Sequence, residues 1–177
     1  MVARRKLVFV AGLAGCCVSL AACAWPFGSN GPKDLRVISV SDGDFKDQTQ
    51  LEYVGQKPRP SIPISRIAFS TNTDLLALAK EHQYNVTFAI GPCGKEGVVD
   101  DGTGFGYVYW GDVIINAYTK DVPGYAEAIG KGPPFTYQVY AKRLPANPPA
   151  PVCIALRGGN MLGGKLRSND AKVPTGP

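Results

Sequence analysis

The chain has 177 residues, 45% of them hydrophobic and 19% charged, with a formal net charge of +5, five cysteines and one histidine. A single histidine, His82, rules out a cluster of histidine metal ligands, and this length suffices for one domain with its own core. No run of basic residues past position 6 would track a phosphate backbone, so nucleic-acid binding is set aside despite the positive total.

In chain order, Arg4, Arg5 and Lys6 precede an apolar stretch over residues 7–18, which ends in Leu20, Ala21, Ala22 and Cys23. A basic head, a short apolar middle and small residues before a cleavage point form the pattern of an export signal. The apolar stretch is shorter than the roughly 20 residues that a membrane span needs. The Leu-Ala-Ala-Cys ending resembles the lipobox of bacterial lipoproteins, an aliphatic residue and two small ones before a cysteine. The resemblance covers residues 1–23 and does not reach the domain that follows. It implies export, a palmitate-type diacylglyceryl group on the Cys23 sulfur, cleavage before Cys23 and acylation of the new amino terminus. Two or three acyl chains anchor firmly, because each buried methylene contributes about 0.8 kcal/mol and one chain alone is marginal. Ala24, where an aspartate would retain the protein at the inner membrane, implies sorting to the outer membrane with the domain facing the periplasm or cell surface. The competing reading is an ordinary cleaved signal that uses Ala22 or Ala24.

Removal of residues 1–22 leaves 155 residues and takes three basic side chains away. The remaining 16 Lys and Arg against 14 Asp and Glu give a formal charge of +2. Cys16 and Cys17 leave with the signal and lipid occupies Cys23, so Cys93 and Cys153 remain as an even pair in an exported chain. A disulfide is the economical reading, with two free thiols as the alternative. The absence of C-x-x-C spacing counts against a redox role.

Residues 1–22 are thus read as the signal, 23–34 as lipidated cysteine and flexible tether, 35–168 as the globular domain, and 169–177 as a flexible tail. Within the domain the strand period dominates. Residues 84–90 alternate and stop at Gly91 and Pro92, and 135–139 and 152–157 alternate as well. Residues 35–40 and 62–69 are further strands, the second disturbed early by Pro63. One segment reads as helix, with Thr71 as cap, Asp74 three residues on as in a capping box, and Leu75, Leu78 and Ala79 on one face. The proline-rich stretch 144–151 reads as a stiff surface loop. Many short strands and one short helix predict a mostly β, single, β-sandwich-like domain.

The sharpest local expectation is a hairpin about Gly111 and Asp112, where a Gly-X type II′ turn pairs Trp110 with Val113 and Tyr109 with Ile114. Val108, Trp110, Val113 and Ile115 then form a core face. Phe105, Tyr107, Tyr109, Ile114, Asn116 and Tyr118 form the other, and the rings and amide among them make it a candidate binding face. Ordinary cross-strand pairing under a covering loop is the alternative.

Residues 159–165 have the Gly-x4-Gly-Lys skeleton of a phosphate-binding loop, but Leu166 stands where magnesium binding needs Ser or Thr. They are read as a tight connection to a short final strand, with no nucleotide. The acidic, glycine-rich residues 100–104 lack the ligand spacing of a calcium loop, so no metal and no cofactor is assigned. No Gly-x-Ser-x-Gly elbow exists, and His82 reads as the last turn of the helix. The expected function is therefore a non-enzymatic binding module of a membrane-anchored envelope lipoprotein, meeting a protein or envelope component. A structural accessory of an envelope complex and a glycan or lipid hydrolase are the alternatives.

Overall fold

A computed structural model describes residues 30–45, 62–95, 97–99, 104–120 and 122–174. The signal segment, Cys23, most of the tether, positions 100–103 of the acidic loop and residues 175–177 lie outside the described residues.

Inward-facing side chains alternate as the strand period requires. In β2 (Ile62–Thr71) and β8 (Phe135–Lys142) they include Ile67, Phe69, Tyr137, Val139 and Ala141, while β1 (Arg36–Phe45) adds half-buried Val37 and Val40. In β3 (Asn85–Gly94) and β9 (Val152–Gly159) they include Val86, Phe88, Ile90, Ile154 and Leu156. These two sets close on one core, in which the Phe69 and Tyr137 rings stack at 5.8 Å. Burial of each such side chain contributes about 1.5–3 kcal/mol. The domain is mostly β, built of curled antiparallel sheets in a sandwich-like arrangement, as expected.

The first sheet runs β1-β2-β8-β6-β7, with β6 (Tyr109–Trp110) and β7 (Val113–Ile114) at its edge. In the second, β3 and β9 pair from Asn85 with Gly159 to Pro92 with Val152. β4 (Gly97–Val98) and β5 (Gly104–Tyr107) add to β3, while β10 (Lys165–Arg167) and β11 (Ala171–Lys172) add to β9. β9 is buried on both faces over its first five residues. Its outer alanine, Ala155, lies with Ala89, Val98 and Cys153 in a second small cluster beneath β4.

The turn at Gly111 has φ +57 there and no positive φ at Asp112, the type II′ sign pattern that glycine permits and other residues resist. Trp110 faces Val113 and Tyr109 faces Ile114, and Val108 and Ile115 are fully buried, as the register predicts. The arms then part. Tyr107 pairs with Thr87 of β3, Tyr109 pairs with Gln138 of β8, and the chain crosses between the sheets at Val108.

Four expectations need correction. Helix α1 (Leu75–His82) is capped by Asp74, whose carboxylate accepts from the Leu76 and Ala77 N–H groups at 3.0 Å, not by Thr71. The Thr71 hydroxyl instead donates to Asp34 at 2.7 Å. A second, six-residue helix, α2 (Tyr125–Gly130), joins the one expected; no side chain caps it, and buried Tyr125 ties it down. Part of the presumed tail is β11, with Ala171 opposite Ile154 and Val173 buried. Finally, the end of the presumed tether packs. Asn30 donates to the Lys165 carbonyl at 3.3 Å, and Leu35 N–H donates to Asn169 Oδ1 at 2.8 Å. Gly31 lies so close to Arg167 that a Cβ would fall 2.3 Å from its backbone.

Candidate functional site

Cys93 and Cys153 are joined in a disulfide, with Cα atoms 5.0 Å apart. Adjacency of β3 and β9 brings them together at the end where β9 begins, since Gly91 pairs with Cys153. The Cys93 N–H also donates to the Pro151 carbonyl at 2.9 Å, fixing the end of the proline-rich loop.

The expected binding face is split between the two sheets: Tyr107 and Asn116 lie opposite Thr87 and Asn85 of β3, whereas Tyr109 pairs with Gln138 of β8. Tyr107 is 48% exposed on the second sheet and Tyr118 73% exposed in the turn after β7. Tyr109, on the first sheet, packs edge-on against Tyr140 at 5.0 Å. Gln138 donates to the Tyr140 hydroxyl at 2.8 Å, and burial pushes that hydroxyl's pKa up. Asn116 bridges to Asn85 and its side chain accepts from the Tyr118 N–H at 2.8 Å, closing its own turn. The Phe105 side chain lies outside the described residues.

Strand register instead sets Tyr107 in a row that sequence alone did not reveal. Tyr107 is opposite Thr87, Thr87 opposite Arg157, and Arg157 opposite Arg167, across β5, β3, β9 and β10. Thr87 is half-buried and its β3 neighbours Val86 and Phe88 point to the core, so the row faces outward. Arg157 also donates to the Val98 carbonyl at 2.8 Å. The next row holds Asn85, Gly159 and Lys165.

A groove of about 670 Å³ lies between β1 and the proline-rich loop. Ile38, Val40, Leu144, Pro148, Val152 and Val173 supply its apolar lining. Ile38 is the extra residue of a β-bulge, between Val37 opposite Phe69 and Ser39 opposite Ala68, and this leaves it 54% exposed. β1 is the terminal strand of its sheet. One wall is polar: Arg143 meets Asp42 at 3.4 Å, the Ser65 hydroxyl donates to Asp42 at 3.1 Å, and Leu144 N–H donates to Ser65 Oγ at 3.0 Å. The prolines were visible in sequence, but the bulge at Ile38 was not, and nothing there tied residue 38 to residue 148.

A largely buried polar cluster braces the start of α1. The Tyr125 hydroxyl donates to Asp74, which leaves Tyr137 as the donor in the 3.0 Å contact between the two phenols. Tyr137 accepts the Leu75 N–H at 3.0 Å, so both rings finish the start of α1. Burial raises both phenol pKa values, Tyr137 to about 12. Such protonated, enclosed groups serve as hydrogen-bond partners rather than acid–base catalysts at neutral pH.

His82 ends α1, as expected, with its ring against Tyr84 at 5.3 Å. Residues 160–164 form the tight turn between β9 and β10 that was expected in place of a phosphate loop. Among the described residues no three His, Cys, Asp or Glu side chains converge to hold a metal ion, and no helix is long and apolar enough to cross a membrane. Comparison with known protein families, curated proteins and solved structures finds no match.

Proposed function

We propose that the chain is an exported bacterial lipoprotein, anchored through acylated Cys23 at the outer membrane, whose domain is a non-enzymatic binding module for a protein or other envelope component facing the periplasm or cell surface. The groove beside β1 is the observation that carries this reading. A concave, mostly apolar surface with a few fixed polar groups is what a ligand site requires, and a terminal strand along its floor can accept the backbone of an extended segment. Asp42 and Arg143 at the wall offer both an acceptor and a donor to a polar residue of that segment.

The outward row of Tyr107, Thr87, Arg157 and Arg167 favours a second docking face, because tyrosine and arginine are enriched where proteins meet. Photoreactive residues placed singly at Ile38 and Tyr107 of the full chain, irradiated in the intact envelope, separate the two faces. One defined adduct from position 38 supports the groove, and one from position 107 alone moves binding to the tyrosine row. No adduct from either position overturns the binding reading.

A further inference from the structure

The turn between β9 and β10 carries Met161 at 99% and Leu162 at 82% exposure. Single exposed apolar side chains are ordinary on protein surfaces. Two in succession at the tip of a braced hairpin are not, since the domain gives them nothing to bury against. The bracing comes from Asn160. Its Oδ1 accepts from the N–H of Leu162 at 3.1 Å and of Gly164 at 2.8 Å, and its Nδ2 donates to the His82 carbonyl at 2.7 Å. The tip is therefore locked to the end of α1 and held outward.

The amino-terminal segment reaches the same end of the molecule. Asn30 bonds to Lys165, and Lys165 lies opposite Gly159 at the base of this turn. Cys23 is seven residues before Asn30 in the chain, a contour of at most about 25 Å. Exposed Lys165 at the base of the turn and Lys80 on the last turn of α1 bring positive charge to this end, with Glu81 beside them. The groove lies at the other end of β9, where Val152 contributes to its lining.

We infer that Met161 and Leu162 form a membrane-contact tip, which enters the boundary between headgroups and acyl chains of the bilayer that holds the anchor. This rests on the reading of Cys23 as lipidated. Apolar side chains with cations behind them suit an interface of acyl chains below anionic phosphates. The tip adds a second point of attachment to that of the lipid and so sets the orientation of the domain, with the groove turned away from the bilayer.

The test uses the full-length lipoprotein, purified from the envelope and reconstituted in phosphatidylethanolamine and phosphatidylglycerol vesicles. In a Trp25→Phe background, whose remaining Trp110 gives a common baseline that is subtracted, tryptophan is placed by Leu162→Trp or, at the far end, by Ile38→Trp; both sites are exposed, so neither disturbs the core. Acyl-brominated lipids are expected to quench the Leu162→Trp signal several-fold more than the Ile38→Trp signal. Equal quenching at the two positions overturns the inference. The mass of the amino-terminal peptide tests the anchor separately. A diacylglyceryl adduct on Cys23 without preferential quenching leaves the anchor standing and the tip refuted. An unmodified Cys23 refutes the anchor; the tip then stands only if the vesicles still quench Leu162→Trp preferentially.

Discussion

Tyr137 does two jobs with one hydroxyl, donating to Tyr125 and accepting from the first turn of α1. Tyr137→Phe leaves the Leu75 N–H without that acceptor in a buried setting, and a loss of about 1–3 kcal/mol is expected by urea denaturation at neutral pH. The sign of the pH effect follows from the raised pKa. Protonated Tyr137 contributes its full stability below pH 10, and the contribution falls as pH rises through about 12. Wild type should therefore lose stability across that window more steeply than Tyr137→Phe. Asp34 acts at the opposite limit. Burial opposes its charge, but the Thr71 hydroxyl, the Asn72 N–H and nearby Arg36 outweigh it and hold the carboxyl below its ordinary 3.8. The stability it adds is present above that value and is lost as pH falls through the lowered one. Asp34→Asn should accordingly flatten the acid limb of the urea midpoint against pH. Neither tyrosine stood out in sequence, because residues 74, 125 and 137 meet only in the folded chain.

Among the elements, the hairpin at Gly111 was the most legible, since a two-residue turn dictates register locally. The split of its arms between two sheets was not legible, because pairing of Tyr107 with Thr87 and of Tyr109 with Gln138 depends on how distant strands curl. α2 escaped notice for a related reason: Gly124 offers no capping side chain, and the helix depends on Tyr125 reaching Asp74. β11 is two residues long and looked like a frayed end until Ala171 found Ile154. Replacement of Gly111 by alanine, which must adopt φ +57, should cost about 1–2 kcal/mol in thermal or urea unfolding with the fold retained. The disulfide closes a separation of 60 residues. The paired change Cys93→Ser with Cys153→Ser should cost about 3–4 kcal/mol by chain entropy, read as a lower urea midpoint that reducing agent no longer shifts.

For the whole molecule, β9 acts as an axis. Seven steps of about 3.3 Å put roughly 23 Å between its two ends, with the disulfide and groove at Val152 and the braced turn beyond Gly159. The sandwich-like class was legible because strand alternation recurs from residue 62 to residue 157. The groove was not, since it needs the bulge at Ile38, the proline-rich loop and Val173 just past β11 to meet.

The bonds between Leu35 and Asn169 also bear on when this fold can form. They join positions 134 residues apart, with Asn169 both accepting from and donating to the Leu35 backbone. The residue before the first described strand is thus secured by one that follows nearly the whole of the described domain. Chains dominated by such distant contacts fold slowly, over about milliseconds to seconds. A chain still short of residue 169 lacks the partner that fastens its beginning. If the chain is exported, as proposed, the beginning of the domain stays unfastened until residue 169 has crossed the membrane.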